Sequence, residues 1–391
     1  MHKQYDAIII GGGIMGCSTA FQLAQRGLSV ALFEKQSLGA GSTGKSSAII
    51  RQHYSNRLTA RMALHSLRVY QNFADEVGGE SGFVQNGFLV TVSEKDQAGL
   101  RANVAMQQEL GIQTSIISPQ EAEELMPSLN VSDLVAAVFE PEAGYADPNL
   151  TVNAYAQAAR NHGAEIFLDE PVTGLRFEAE RIQGVDTARR SADAPLVLNC
   201  AGPWGARVAQ MAGVDVPISP CRVQVAFFGR PDSHAADHPV VADFIHATYF
   251  RSETGQLTLA GLIDPSEADA IVPPDDFPEQ LDADFQLDIG ERLIRRYPPI
   301  EQATARGGYA ALYAITPDWH PVVDELIPGS GFFICAGFSG HGFKLGPSVG
   351  LMAAELLTQQ STPLFDPGLF RLKRFEEGQP VRGQYEYSIA G

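Results

Sequence analysis

Residues 5–35 read YDAIIIGGGIMGCSTAFQLAQRGLSVALFEK, and this stretch decides the fold. A short apolar run ends in glycines, apolar residues then recur at helical spacing through Ala20, Leu23 and Ala24, and a second apolar run, SVALFE, closes the unit. Strand, glycine turn, helix and strand make a βαβ unit. Gly11, Gly13 and Gly16 form G-x-G-x-x-G directly after the first strand and open the helix. The first glycine permits the tight turn and the second lets backbone approach a pyrophosphate. The third lets helix pack on strand, and Ile14 and Met15 sit in the helical turn that faces the anion. Glu34, 18 residues after Gly16 at the end of the second strand, is placed to accept hydrogen bonds from a ribose diol, with Lys35 beside it. An acid there disfavours a 2′-phosphate and hence NADP, while NAD and FAD both remain.

A chain of 391 residues can bury a large core and suggests two domains. Its net charge of −18 comes from acids dispersed along the sequence, which disfavours nucleic-acid binding. No apolar run approaches the roughly 20 residues that cross a bilayer, and MHKQYDAIII enters a strand too early to hold a signal peptide, so a cytoplasmic enzyme is expected. Cys17, Cys200, Cys221 and Cys335 lack metal-ligand spacing and are expected to be buried reduced thiols, with no metal site.

Outward from the βαβ unit, residues 39–47 form a small polar loop. From Gly87 the texture changes to GFLVTVS and a charged helix over 93–110; CRVQVAFFGR, FIHATYFRS and GQLTLAGLI then alternate as strands of an antiparallel sheet. Between these textures, APLVLNCAGPWGARVAQMAGV gives a buried strand, a turn and a helix, so the nucleotide domain is interrupted. The proline- and acid-rich VPPDDFPEQLDADFQLD is expected to be a surface excursion before a helix that ends at prolines.

A mid-chain strand and turn, VLNCAGPW, and a second glycine-rich helix start near the C-terminus tip the cofactor toward a flavin. IIIGGGIMG with FEK, GSTGKSSAIIRQHY, VLNCAGPW, YAITPDWHPVVD and CAGFSGHGFKLGPSVG together resemble the D-amino-acid-oxidase-like flavoprotein superfamily over essentially the whole chain. Within it they are most similar to the branch of the sarcosine oxidase β-subunit and monomeric sarcosine oxidase. The resemblance implies a discontinuous Rossmann-like FAD-binding domain (1–86, 146–216 and 320–391) of α/β type. A mixed α+β substrate-binding domain with antiparallel strands (87–145 and 217–319) would cover the isoalloxazine. The implied reaction is hydride transfer from an N-alkyl amino acid to FAD, giving an imine that water hydrolyses.

The site residues follow from the same segments. Ser42, Thr43, Ser46 and Ser47 offer amides and hydroxyls to phosphate and Lys45 adds charge. Val172, Ala201, Gly202 and Trp204 are expected at the flavin in mid-chain, and Gly337, Gly340, His341, Gly342 and Phe343 at its C-terminal side. Arg51 emerges after two isoleucines, where a substrate carboxylate is the natural bidentate partner. The resemblance implies that role for Arg51 and, jointly, for Lys344. His53 and Tyr54 adjoin Arg51, with His53 read either as bordering the amine or as a structural histidine. Tyr249 and Arg251 share a strand face and either line the pocket or support the fold. A helix is expected to start near Gly346 with Pro347 in its first turn.

Three departures qualify the resemblance. Ala311 stands where monomeric sarcosine oxidase bonds FAD through a cysteine, and Pro148 near the β-subunit's FMN-linking histidine, so one non-covalent FAD and no FMN are expected. Thr258 aligns with a lysine that promotes reaction with oxygen. Three readings stay open: an oxidase using O₂, a proline- or opine-type dehydrogenase that passes electrons to another acceptor or a partner subunit, and a non-catalytic FAD-containing assembly subunit. A homo-oligomer is also compatible. A nucleophilic hydrolase is disfavoured: GFSGHG around Ser339 has the wrong spacing for a nucleophile turn, and no H-E-x-x-H occurs.

Overall fold

The computed structural model describes residues 3–263, 269–360 and 363–382. The outermost residues of the expected 1–86 and 320–391 segments therefore lie outside the described residues.

The opening βαβ unit forms as its pattern dictates. Ala7–Ile10 and Val30–Phe33 are fully buried parallel strands joined by the Ile14–Gln25 helix. They sit in a six-stranded sheet whose order runs Glu165–Phe167, Val30–Phe33, Ala7–Ile10, Leu196–Asn199, Phe332–Ala336 and Val322–Glu325. All neighbours are parallel except the last pair. Segments from the start, middle and end of the chain thus interleave in one sheet. The central strands read as apolar runs because both faces are covered, one by helices and the other by the antiparallel strands Val172–Glu178, Arg181–Thr187 and Ser191–Asp193, as parallel sheets require.

The second large sheet has eight strands. The antiparallel pair Ser219–Gly229 and Thr304–Ile315 lies at one end, followed by Leu257–Leu262, Thr248–Glu253, Val240–Asp243, Phe88–Val92, Ala136–Glu140 and Ser115–Ile117. Val240–Asp243 pairs parallel to Phe88–Val92, so the sheet is mixed. A buried ion network fixes its back: Arg296 donates through Nε to Asp243 at 2.8 Å and through a terminal nitrogen to Asp133 at 2.8 Å. The helix expected before the prolines is Ala283–Arg296.

The C-terminal helix differs from expectation. It runs Gly342–Leu357, so it begins four residues before Gly346, and Pro347 lies inside it. Proline lacks the N–H that would bond the carbonyl four residues earlier, that of Phe343. Tyr70 supplies the missing donor, its hydroxyl bonding the Phe343 carbonyl at 3.0 Å. The glycines of this segment also divide by task. A Cβ at Gly346 would lie 2.3 Å from Ile14 Cγ1 and one at Gly350 2.5 Å from Ser18 Oγ, so these two glycines seat the helix against the Ile14–Gln25 helix rather than beneath a flavin. Pro148 likewise has a local reason, as the first residue of the Pro148–Asn161 helix, whose N-cap Asp147 accepts from Asn149 and Leu150.

Candidate functional site

An elongated cavity opens between the carboxyl ends of the six-stranded sheet and the face of the large sheet. It is lined by Ile10, Phe33, Cys200 and Cys335 from the first and by Val223, Val225, Tyr249, Ala311 and Tyr313 from the second. A crevice at strand carboxyl ends is where open α/β sheets bind ligands.

At its nucleotide end Gly11, Gly13, Ile14 and Met15 form the wall. Gly11 has φ +110°, and a Cβ there would meet the Cys200 carbonyl oxygen at 2.5 Å. Gly16 is not on the wall; a Cβ on it would lie 1.9 Å from the Gly11 carbonyl oxygen, which enforces helix-to-turn packing. Glu34 reaches the cavity with Oε2 accepting from the Gly12 amide at 2.7 Å and Oε1 from the Gln36 amide at 2.8 Å. Each carboxylate oxygen keeps lone pairs for a diol.

The polar loop lines the cavity through Ser42, Thr43, Lys45, Ser46 and Ser47, and the Ser42 hydroxyl and the Lys45 ammonium are engaged within the protein. The Ser42 hydroxyl donates to the Leu312 carbonyl at 2.6 Å, Thr43 Oγ1 accepts from the Ile14 amide at 3.2 Å, and Ser46 Oγ accepts from the Ala48 amide at 3.0 Å. Lys45 pairs with Glu279 at 2.8 Å. These groups shape the loop and join it to the large sheet. The same occurs at Lys35, whose ammonium lies 3.5 Å from the Trp204 ring centroid and 3.0 Å from Asp275. Asp275 also accepts from Trp204 Nε1 at 2.6 Å and pairs with Arg207. Asp275 and Glu279 belong to the segment read as a surface excursion; here it is a strap across the cavity mouth.

Val172, Ala201, Gly202 and Trp204 line the middle of the cavity, and Gly337, Gly340, Gly342 and Phe343 its C-terminal side. Gly337 and Gly340 have positive φ, and a Cβ on Gly340 would press into the Tyr313 ring at 2.7 Å. His341 is buried off the wall, edge-on to Tyr54 at 5.8 Å. Tyr249 lines the cavity and lies against its cross-strand partner Gly261, where any Cβ would fall 2.5 Å from the phenol oxygen. Arg251 does not: it donates to the Ser47 carbonyl at 2.7 Å, pairs with Glu253 and lies over Tyr145. Thr258 is buried away from the cavity, 3.4 Å from His238 Nε2, so that position carries no information about oxygen.

Arg51 and Lys344 lie behind the wall, adjoining it through Ser47, Gly342 and Phe343. Lys344 is only 8% exposed, and no hydrogen bond or ion pair engages its ammonium among the described residues. Burial, and then the Arg51 guanidinium, push its pKa well below the usual lysine value. Arg51 donates to the His53 carbonyl and lies 4.5 Å from the Tyr54 ring centroid. His53 is buried off the cavity wall, with Nε2 3.3 Å from the Asn103 amide nitrogen. Burial, and then Arg51, lower its pKa to about 3, so it is neutral. Glu140, which the sequence reading passed over, is fully buried here; its only signal was one acid at the end of the buried strand AAVFE.

The donors and spaces present fit an FAD: a glycine cradle no side chain can enter, a carboxylate poised for a ribose, and an apolar cavity roofed by a sheet. The chain matches the family model "FAD dependent oxidoreductase" (DAO) over residues 6–356 and belongs to that family. FAD is its cofactor, and Ala311, on the cavity wall, offers it no sulfur.

Among relatives, human mitochondrial sarcosine dehydrogenase is 30% identical over 384 residues, 95% of this chain. The chain spans only 41% of that protein's length. The sarcosine oxidase subunit beta of Rhodobacter capsulatus is 28% identical, with 96% of this chain and 90% of the relative covered. The solved L-proline dehydrogenase of P. horikoshii superposes with a TM-score of 0.90 at 28% identity, covering 97% of this chain and all of that one. No described helix is long and apolar enough to cross a membrane.

Proposed function

We propose that the protein oxidises the C–N bond of a secondary or tertiary N-alkyl amino acid, whose carboxylate is held by Arg51 and Lys344. The observation that carries this reading is the buried Lys344 ammonium, close enough to Arg51 to feel its charge and without an anion of its own among the described residues. A buried ammonium is costly unless an anion completes it, and a carboxylate also matches the shape of the neighbouring guanidinium. The N-terminal end of the Gly342–Leu357 helix adds partial positive charge on the same side.

The amine must be neutral to lose a hydride equivalent. Two cations at its carboxylate disfavour the ammonium form, so the same residues that hold the acid also promote loss of the amine proton. When bound, FAD supplies the two-electron acceptor. Tyr249 and Tyr313 wall the space over the cavity and, with Val223, Val225 and Ala311, keep it apolar and dry. Hydride loss from the neutral amine leaves an iminium ion, which in a secondary amine sheds one proton to give the imine, and water then releases a carbonyl compound and an amine. In this reading residues 1–86, 146–216 and 320–391 form the FAD-binding domain and 87–145 and 217–319 the substrate domain. The free, buried cysteines suit a cytoplasmic enzyme.

The names of the human and archaeal relatives, both dehydrogenases, favour an acceptor other than oxygen, and the bacterial relative is one subunit of a larger enzyme. Anaerobic addition of sarcosine, dimethylglycine, L-proline and an opine, followed by flavin absorbance, tests the reaction. Bleaching by at least one is expected, and no bleaching by any N-alkyl amino acid defeats it. Hydrogen peroxide formed per turnover in air then separates oxidase from dehydrogenase. A non-catalytic FAD-holding subunit is the outcome if Arg51→Ala and Lys344→Met leave bleaching unchanged.

A further inference from the structure

Glu140 ends the Ala136–Glu140 strand of the large sheet, and its side chain is fully buried without facing the cavity. Its Oε2 accepts the Gln52 amide at 2.9 Å, the His53 amide adds a second bond to the carboxylate, and Oε1 lies 3.8 Å from His53 Nδ1. Both amides belong to the residues immediately after Arg51. The guanidinium of Arg51 turns back on the same piece of chain, donating to the His53 carbonyl and lying over the Tyr54 ring. Carboxylate and guanidinium therefore grip one short stretch of backbone, the first through its N–H groups and the second through a C=O.

That arrangement restricts where Arg51 can point. The short strand Ile49–Ile50 holds the chain before it through pairing with Gly144–Tyr145, and Glu140 holds the chain after it. Gln107 secures the next residue, donating to the Tyr54 carbonyl at 3.0 Å. A buried carboxylate is an expensive way to accept two amides, since a neutral side chain can do the same. What the position requires is the acceptor that fixes the chain after Arg51, and a neutral acceptor of the same shape keeps that hold.

We propose that Glu140 is the positioning residue for Arg51: by holding the Gln52 and His53 amides it fixes the direction of the guanidinium and thereby the grip on the substrate carboxylate. The proposal rests on the reading of Arg51 as a carboxylate ligand. It also places the clamp across two parts of the fold, Arg51 set from the large sheet and Lys344 from the C-terminal helix.

The test uses the FAD-loaded protein and propionate, a carboxylate without an amine, titrated by perturbation of the flavin absorbance. Glu140→Ala is expected to raise the propionate Kd roughly tenfold, the size of coupling seen between contacting charged groups. Glu140→Gln, whose amide oxygen still accepts an N–H, is expected to stay within about threefold of wild type. In an Arg51→Ala background Glu140→Ala is expected to add nothing, whereas a merely structural role lowers affinity equally in both backgrounds. Wild-type affinity in Glu140→Ala, equal losses in the Ala and Gln variants, or an undiminished effect without Arg51 overturns the proposal. If Glu140→Ala does not fold, Glu140→Asp, which retracts the carboxylate by one bond, takes its place in the same cycle. No response to propionate in the wild type, or none lost on Arg51→Ala alone, defeats the underlying clamp instead, and is distinguishable because it appears before Glu140 is touched.

Discussion

Replacing Lys344 by methionine separates folding from binding. The side chain is 8% exposed and its ammonium has no partner among the described residues, so the folded protein bears a desolvation cost that an apolar side chain of similar length removes. Exchanging buried charge for well-packed apolar atoms stabilises by about 1–4 kcal/mol, and Lys344→Met is expected to fall in that range at pH 7. The sign with pH follows from the lowered pKa. Between the folded value and roughly 10.4 the unfolded chain binds a proton that the folded chain does not, so wild-type stability rises with pH across that window. The advantage of Lys344→Met should therefore shrink as pH climbs and vanish above about pH 10. Binding moves the other way. Loss of one charge-assisted hydrogen bond of about 1.5–3 kcal/mol weakens propionate roughly 10- to 150-fold. Urea melts of the FAD-loaded protein at pH 7 and 9, with a propionate titration, measure both. A destabilised variant, or one that binds propionate as the wild type does, refutes the reasoning.

Three further outcomes are expected. Burial lifts Glu140 from 4.5 to about 7, so folding favours its protonated form and stability declines as pH rises from about 4.5 through 7. That decline is worth about 3 kcal/mol, and thermal melts of Glu140→Gln should show an advantage over wild type that grows between pH 5 and 8 and then levels off. Asp275→Asn weakens an exposed strap worth about 0.2–1 kcal/mol per contact, so FAD should dissociate roughly two- to fivefold faster by fluorescence recovery, with bleaching by substrate unchanged. Arg374 and Asp318 are a buried bidentate pair at 2.8 and 2.9 Å, and Arg374→Ala, which strands the carboxylate, should cost about 3–5 kcal/mol in urea melts.

The parts of the fold that were legible in the sequence are those whose cause is local. Three glycines at fixed spacing after an apolar strand and an acid at the end of the next strand are enough to place the nucleotide end, since the pattern lies within one βαβ unit, even though Gly11 also answers to the Cys200 carbonyl. Position 346 shows the limit. A glycine before a proline reads as a helix start, but the reason for Gly346 is Ile14, and the carbonyl that Pro347 strands is served by Tyr70, 273 residues away from Phe343. The Ser42 hydroxyl has a similarly distant partner: it spends its proton on Leu312, in the other sheet. Glu140 was passed over because an isolated acid carries no pattern, and Asp275 because it is one of several acids in a segment that reads as surface. Their meaning comes from amides at 52 and 53 and from cations at 35 and 207, which only the folded chain brings to them.

Gly346 and Gly350 bear on how such a protein can change its substrate. Any side chain at either would push the C-terminal helix off Ile14 and Ser18, so the place of Lys344 behind the cavity wall is not adjustable by small mutational steps. Val223, Val225, Tyr249 and Ala311 line the cavity from the large sheet instead. On the clamp reading, a change of amine would thus come from the sheet, while the anchor proposed for the carboxylate keeps its place.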